Sequence, residues 1–229
     1  MRALLIDLDD TLLDYSGGAW ACWVGACAAA AAHLDQPALL AAIHESAQWF
    51  WSDAARHRRE RVDMMGAWSK IAALGLERCG VAVDGLAGKI AEDFAARRFA
   101  AMRLFPDALP LLDLMRERGM PMALLTNGDV RMQREKIIRW DLARFFEVIV
   151  IEGEFGAGKP DPEVFHHALA ALGVAAADAW MVGDSLLWDM TGARRVGAHA
   201  VWLDRAREGL PATSPVRPDR IIHSLDDLH

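Results

Sequence analysis

Four short segments of the 229-residue chain carry side chains whose types and spacing suit phosphoryl transfer: Asp7-Leu8-Asp9-Asp10-Thr11, Leu125-Thr126-Asn127-Gly128, Gly158-Lys159-Pro160 and Gly183-Asp184-Ser185-Leu186-Leu187-Trp188-Asp189. A carboxylate such as Asp7 is a competent nucleophile toward phosphorus and forms an aspartyl-phosphate that water can later cleave. A second carboxylate two residues on, Asp9, can protonate a leaving oxygen and then deprotonate the attacking water. The Thr11 hydroxyl can brace the turn that follows. Thr126, Asn127 and Gly128 offer hydroxyl, amide and backbone N–H donors at the start of a helix, where anions are held, with Asp129 as its cap. Lys159 can neutralise charge on the nucleophile and on a transferred phosphoryl group. Asp184 and Asp7, with a carbonyl, form a hard oxygen set suited to octahedral magnesium. Asp189 is expected to orient the site from its edge rather than to complete that set.

Each segment alone also has a plain structural reading: an acidic loop in solvent, an ordinary strand–turn–helix, a surface lysine. Lys159 is one of four lysines among 25 basic residues, and it lies between a glycine and a proline. The run Gly156-Ala157-Gly158-Lys159 lacks the spacing of a Walker loop, which excludes nucleotide binding of that kind.

What brings the segments together must be a sheet. Three of them directly follow apolar, strand-like runs at 3–6, 122–125 and 180–182, and the Lys159 segment follows a fourth run at 148–151 after a short loop. Parallel strands align their carboxyl ends along one edge, which is where open α/β sheets bind ligands. Strands are expected near 4–6, 122–125, 148–151, 180–182, 200–203 and 221–223, with helices near 108–118, 130–140, 162–172 and 187–196. Ser224 can cap a last helical turn. The alternation predicts a doubly wound parallel α/β sheet, Rossmann-like in plan. Residues 16–102 differ: they are Ala-rich, helical in period and broken at Gly17-Gly18, Gly75, Gly80 and Gly85. They read as about four helices inserted after the first strand, leaving 1–15 and 103–229 as the core.

Composition narrows the partners. A net charge of −7 argues against a nucleic-acid binder. It is also the wrong sign to attract phosphorylated substrates, so a divalent cation would have to reverse the field locally. The longest apolar stretches are short of a membrane span. Cys22, Cys27 and Cys79 are odd in number and show no Cys-x-x-Cys spacing, so buried thiols are expected rather than disulfides or zinc. Met1-Arg2 leads straight into a strand without a secretory pattern, and a cytoplasmic setting is the expectation.

The order D-x-D-x-T, strand-T-N, G-K-P and G-D-x-x-x-x-D resembles the haloacid dehalogenase-like (HAD) hydrolase superfamily, across positions 7 to 189. The resemblance implies Asp7 as nucleophile and Asp9 as general acid/base. It implies Asp7, the Asp9 backbone carbonyl and Asp184 as Mg2+ ligands, and Thr126 and Lys159 as phosphoryl contacts with Asn127 assisting. The helical insertion resembles the cap of that superfamily. The stretch from Thr126 through Gln133 and Lys136 to Phe145-Phe146, with Trp202-Leu203, is similar to the branch of pyrimidine nucleotidases and acylneuraminate phosphatases. Asp10 stands where the family often has glycine. Dehalogenases of the family carry an aromatic residue at the position of Asp9, so the acid here disfavours dehalogenation.

The function expected is a magnesium-dependent phosphatase acting on a small phosphorylated metabolite, as a monomer or homodimer. The alternatives are a phosphomutase using the same motifs, or a catalytically idle binding protein. Five of the nine tryptophans (20, 23, 49, 51 and 68) lie in the insertion. Trp20 and Trp23 share a helical face that either packs the insertion or stacks on substrate. The run Arg56-His57-Arg58-Arg59-Glu60-Arg61 is either a solvated face or a receptor for a second anionic group.

Overall fold

The computed structural model describes residues 1–228. The chain forms two compact units, one of Met1–Asp14 with the chain from Arg103 onward, the other of Tyr15–Met102.

In chain order, the first unit opens with β1 (Ala3–Ile6) and a two-residue β2 (Leu13–Asp14). The second unit follows as α1 (Ala19–Ala30), α2 (Gln36–Ser52), α3 (Ala54–Glu60), α4 (Met64–Arg78) and α5 (Leu86–Ala101). The first unit resumes with β3 (Arg103–Leu104), α6 (Ala108–Glu117), β4 (Met122–Thr126), α7 (Val130–Arg139), β5 (Val148–Ile151), α8 (Glu152–Phe155) and α9 (Pro162–Leu172). It closes with β6 (Ala179–Gly183), α10 (Thr191–Val196), β7 (His199–Leu203) and β8 (Arg220–Ile222).

Six strands form one sheet in the order β5-β4-β1-β6-β7-β8, and every pairing in it is parallel. Ala3, Leu4, Leu5 and Ile6 are all fully buried, as expected of a central strand covered on both faces. The chain steps outward from β1 to β4 and β5, then returns to lay β6 on the other side of β1. That reversal creates the crevice where such sheets place their sites. Register completes the arrangement: Ile6 lies between Leu124 of β4 and Val182 of β6, so Asp7, Thr126 and Asp184 emerge at one edge. Below that edge, Leu5, Leu125 and Met181 pack with Val164, Phe165 and Ala168 of α9 in one apolar cluster. All six expected strands are present. The expected cap is also found, since the Ser224 hydroxyl accepts from Asp226 N at 3.1 Å, opening a single 3-10 turn at Leu225–Leu228.

Three features differ from expectation. The short antiparallel ladder of Leu13 with Leu104 and Asp14 with Arg103 marks where the insertion leaves and re-enters. Two-residue strands have no period to read. The helix expected over 187–196 instead begins as one wide π-helical turn at Leu186–Met190 and becomes α10 only at Thr191. In that turn Met190 N reaches back five residues to Ser185 O at 3.1 Å. The insertion holds five helices, and Gly75 does not break one: it sits within α4, where an added Cβ would meet Ile43 Cγ1 of α2 at 2.5 Å. Its missing side chain lets the two helices pack closely.

Within the second unit, the buried stripe of α1 is Cys22, Trp23, Ala26 and Cys27. Trp23 stacks on Phe94 with centroids 3.8 Å apart, and Trp68 meets the same ring edge-on at 5.1 Å. Trp20 lies at the margin of that stripe and is exposed, its edge against His44. In the basic run, the Arg56 guanidinium lies 3.9 Å from the Trp49 ring centroid and donates to Phe50 O, whereas Arg61 is buried. The three cysteines are free thiols.

Candidate active site

Asp7 follows β1 without a break, its N–H still bonded to Val182 O at 3.0 Å, and its side chain is buried. Lys159 Nζ lies 2.5 Å from one of its oxygens, and the Thr11 hydroxyl donates to the other at 3.1 Å. The same Thr11 oxygen accepts from Asp184 N at 3.2 Å, so one hydroxyl braces two of the four segments. Between them Asp10 takes φ 60°, a left-handed conformation natural to glycine and tolerated by aspartate. This departure from the family pattern therefore leaves the turn intact.

Lys159 is equally buried and forms a second ion pair, with Asp189 at 2.7 Å. The other Asp189 oxygen accepts from Ser185 N at 3.0 Å across the π turn. Gly183 makes this possible, since a Cβ there would stand 2.3 Å from that oxygen. Asp189, expected at the edge of the site, is fully buried inside it. Asp7, Asp184 and Asp189 each offer a carboxylate oxygen within 4.8 Å of the others.

Three carboxylates around one ammonium leave an excess of buried negative charge, and the titration of the group reflects it. Burial is the largest cause pushing the Asp7 carboxyl from 3.8 up to about 7; Lys159 opposes the rise and Asp189 adds to it. Asp184 is pushed well above the ordinary range by burial, then by the charges of Asp7 and Asp189. Burial would lower Lys159, but Asp189 and Asp7 outweigh it and hold the ammonium protonated. Oxygen-only donors carrying surplus negative charge fit a hard divalent cation such as magnesium.

Asn127 ties the Lys159 loop to β4. Its carbonyl oxygen accepts from Lys159 N at 2.8 Å, and its amide donates to Lys159 O at 2.9 Å. An amide side chain matches the donor and acceptor of a peptide unit, and Asn127, expected to assist phosphoryl contacts, bonds the Lys159 backbone with both of its groups. Glu152 accepts from Gly128 N at 2.9 Å, and the Trp202 indole donates to Asp184 O at 2.7 Å. Asp129 caps α7 through Met132 N at 2.9 Å, as expected.

Asp9 belongs to a second network that was not expected from the sequence. Lys136 Nζ lies 2.9 and 2.8 Å from its two oxygens, and Gln133 Nε2 donates to it at 3.0 Å. Gln133 Nε2 also donates to Thr126 Oγ1, and Gln133 Oε1 accepts from Lys136 at 2.7 Å. Gln133 and Lys136 are both buried on α7. The available signal was two long polar residues three apart on a helix opening beside Thr126, on the face shared with buried Ile137. Thus all eight expected residues lie at or just beyond one sheet edge, together with Gln133 and Lys136.

A profile of haloacid dehalogenase-like hydrolases matches residues 1–197. The chain is 36% identical to a phosphoserine phosphatase of Thermus thermophilus, over 100% of this chain and 98% of that one. It is 36% identical to the N-acylneuraminate-9-phosphatase of Rattus norvegicus over 61% of this chain and 58% of that protein. Among solved structures, a magnesium-bound HAD-hydrolase from Bacillus subtilis superposes with a TM-score of 0.77 at 21% identity, covering 99% of this chain and 96% of its own. With its parallel sheet, its aspartate-bearing edge and these relatives, the chain belongs to the haloacid dehalogenase-like hydrolases.

Proposed function

We propose that the protein is a magnesium-dependent phosphatase that hydrolyses a small phosphomonoester through an aspartyl-phosphate on Asp7. The observation that carries this reading is the Gln133 amide shared between Thr126 and Asp9, beside the Asp7–Lys159 ion pair. It joins a hydroxyl able to hold phosphoryl oxygen to a carboxylate able to move a proton. The Thr126 oxygen accepts from Gln133, which leaves its own proton for an anion.

In the first step an Asp7 oxygen bonds to phosphorus as the ester P–O bond breaks, and the leaving oxygen takes a proton from Asp9. In the second, water attacks phosphorus, Asp9 takes its proton, and the bond to Asp7 breaks to release inorganic phosphate. Lys159 offsets the charge gathered on Asp7 and the phosphoryl oxygens. Asp7, Asp184 and the Asp9 carbonyl would hold magnesium, which when bound supplies further charge neutralisation. The three free thiols support work in a reducing cytoplasm.

The test is phosphate release from a panel holding phosphoserine, glyceraldehyde 3-phosphate and N-acylneuraminate 9-phosphate, with magnesium or a chelator, beside Asp7→Asn. Release that needs magnesium and disappears in the variant is the expected result. A folded protein that releases nothing overturns the reading, and an isomerised ester without free phosphate would identify a mutase.

A further inference from the structure

A buried lysine is unusual unless it is paired, and Lys136 is buried at 2% exposure with its ammonium on both oxygens of Asp9. The two residues are 127 positions apart. Asp9 itself is partly open, its side chain 22% exposed. It follows β1 on a loop, and such a carboxylate has free rotation unless something holds it. Lys136 and Gln133 supply the hold from a rigid element, since both project from the same face of α7. Gln133 fixes the arrangement further. Its oxygen accepts from Lys136, so its nitrogen must be the group that donates to Asp9 and to Thr126. The Asp9 carboxylate is thereby registered against the Thr126 hydroxyl.

Resting on the phosphatase reading above, we propose that Lys136 and Gln133 are positioning residues that aim the Asp9 carboxyl group at the ester oxygen of the bound substrate: in the acid step one Asp9 oxygen carries the proton toward the ester while the other stays on Lys136. A general acid is effective only within hydrogen-bond reach of the atom it protonates, and this contribution is worth about 10²–10⁴ in rate. Without the hold, Asp9 would spread over rotamers and the proton would arrive late. The loss must depend on the leaving group. An alkoxide needs the proton as it departs, whereas an acidic phenol leaves without one.

The experiment compares kcat/KM for an alkyl phosphomonoester and for p-nitrophenyl phosphate in the wild type, Lys136→Met, Gln133→Leu and Asp9→Asn. For a two-step enzyme kcat/KM reports only the steps through leaving-group departure, so the shared hydrolysis of the aspartyl-phosphate drops out. Lys136→Met is expected to lose about 100-fold on the alkyl ester while changing little on the aryl ester. Gln133→Leu should show the same preference more weakly, and adding either change to Asp9→Asn should cost nothing further on the alkyl ester. If Lys136→Met does not fold, Lys136→Gln decides, because Gln133→Leu also releases Thr126 and so touches both esters. Equal losses on both esters, or additive losses with Asp9→Asn, would mean that the pair only supports the fold and would overturn the proposal. A wild type that releases no phosphate from either ester would instead sink the phosphatase reading, and this proposal with it.

Discussion

Asp7 combines burial, a cation and two further carboxylates, and its titration follows from that crowding. Its folded pKa of about 7 lies above its ordinary 3.8, so the folded protein binds this proton more tightly than the unfolded chain does. Stability tied to Asp7 is then fully present below about pH 4 and is lost as pH climbs through 7. Asp184 is shifted in the same direction. A divalent cation bound to these carboxylates would take the place of those protons and reverse the trend. Thermal midpoints in chelator are therefore expected to fall between pH 5 and pH 8, and the gain on adding magnesium should grow over the same interval. A gain independent of pH would show that the ion does not bind these carboxylates.

At the scale of elements, the π turn after β6 is what brings Asp189 to Lys159. A continuous α-helix from Leu187 would be the simpler reading of the apolar pattern, and it would not return the Asp189 carboxylate to Ser185 N. Gly183 is the residue that permits the return. Gly183→Ala would force that carboxylate away and deprive Lys159 of one partner. Phosphate release is expected to fall at least about tenfold, with a stability loss of about 1–3 kcal/mol from the overpacked contact. Kinetics and thermal unfolding of one preparation would check both, and full activity in the variant would mean that the Asp189–Lys159 pair is dispensable.

Across the molecule, residues far apart in sequence meet at Asp107. Arg205 pairs with both of its oxygens at 2.9 Å, Ser224 and Leu225 N donate to it at 2.8 and 2.9 Å, and Arg205 also reaches Thr11 O at 2.8 Å. This network ties the C-terminal segment to the loop that follows Asp7. Burial works to raise the Asp107 carboxyl, but the bonds from Arg205, Leu225 and Ser224 outweigh it and hold it below the ordinary range. A lowered carboxyl contributes stability above its unfolded pKa and loses it as pH falls. Asp107→Ala should cost about 3–5 kcal/mol at neutral pH, because it strands a partly buried guanidinium. The penalty should shrink in acid, where the wild type loses the same interaction, and chemical denaturation at pH 7 and pH 3.5 would measure both.

What could be read from residues alone was the set of parts and their common edge. Apolar runs of strand length must bury both faces, and a parallel sheet brings their ends together whatever separates them in sequence. Asp7, Thr126, Lys159 and Asp184 were legible for that reason, and so was Asp129 as a cap, because capping is a local property. The pairing of Lys136 with Asp9, the turn of Asn127 toward Lys159, the burial of Asp189 and the close approach at Gly75 were decided only by the tertiary structure. Each depends on which groups meet across long separations and on how much water they lose in meeting, and no local window of sequence contains either quantity.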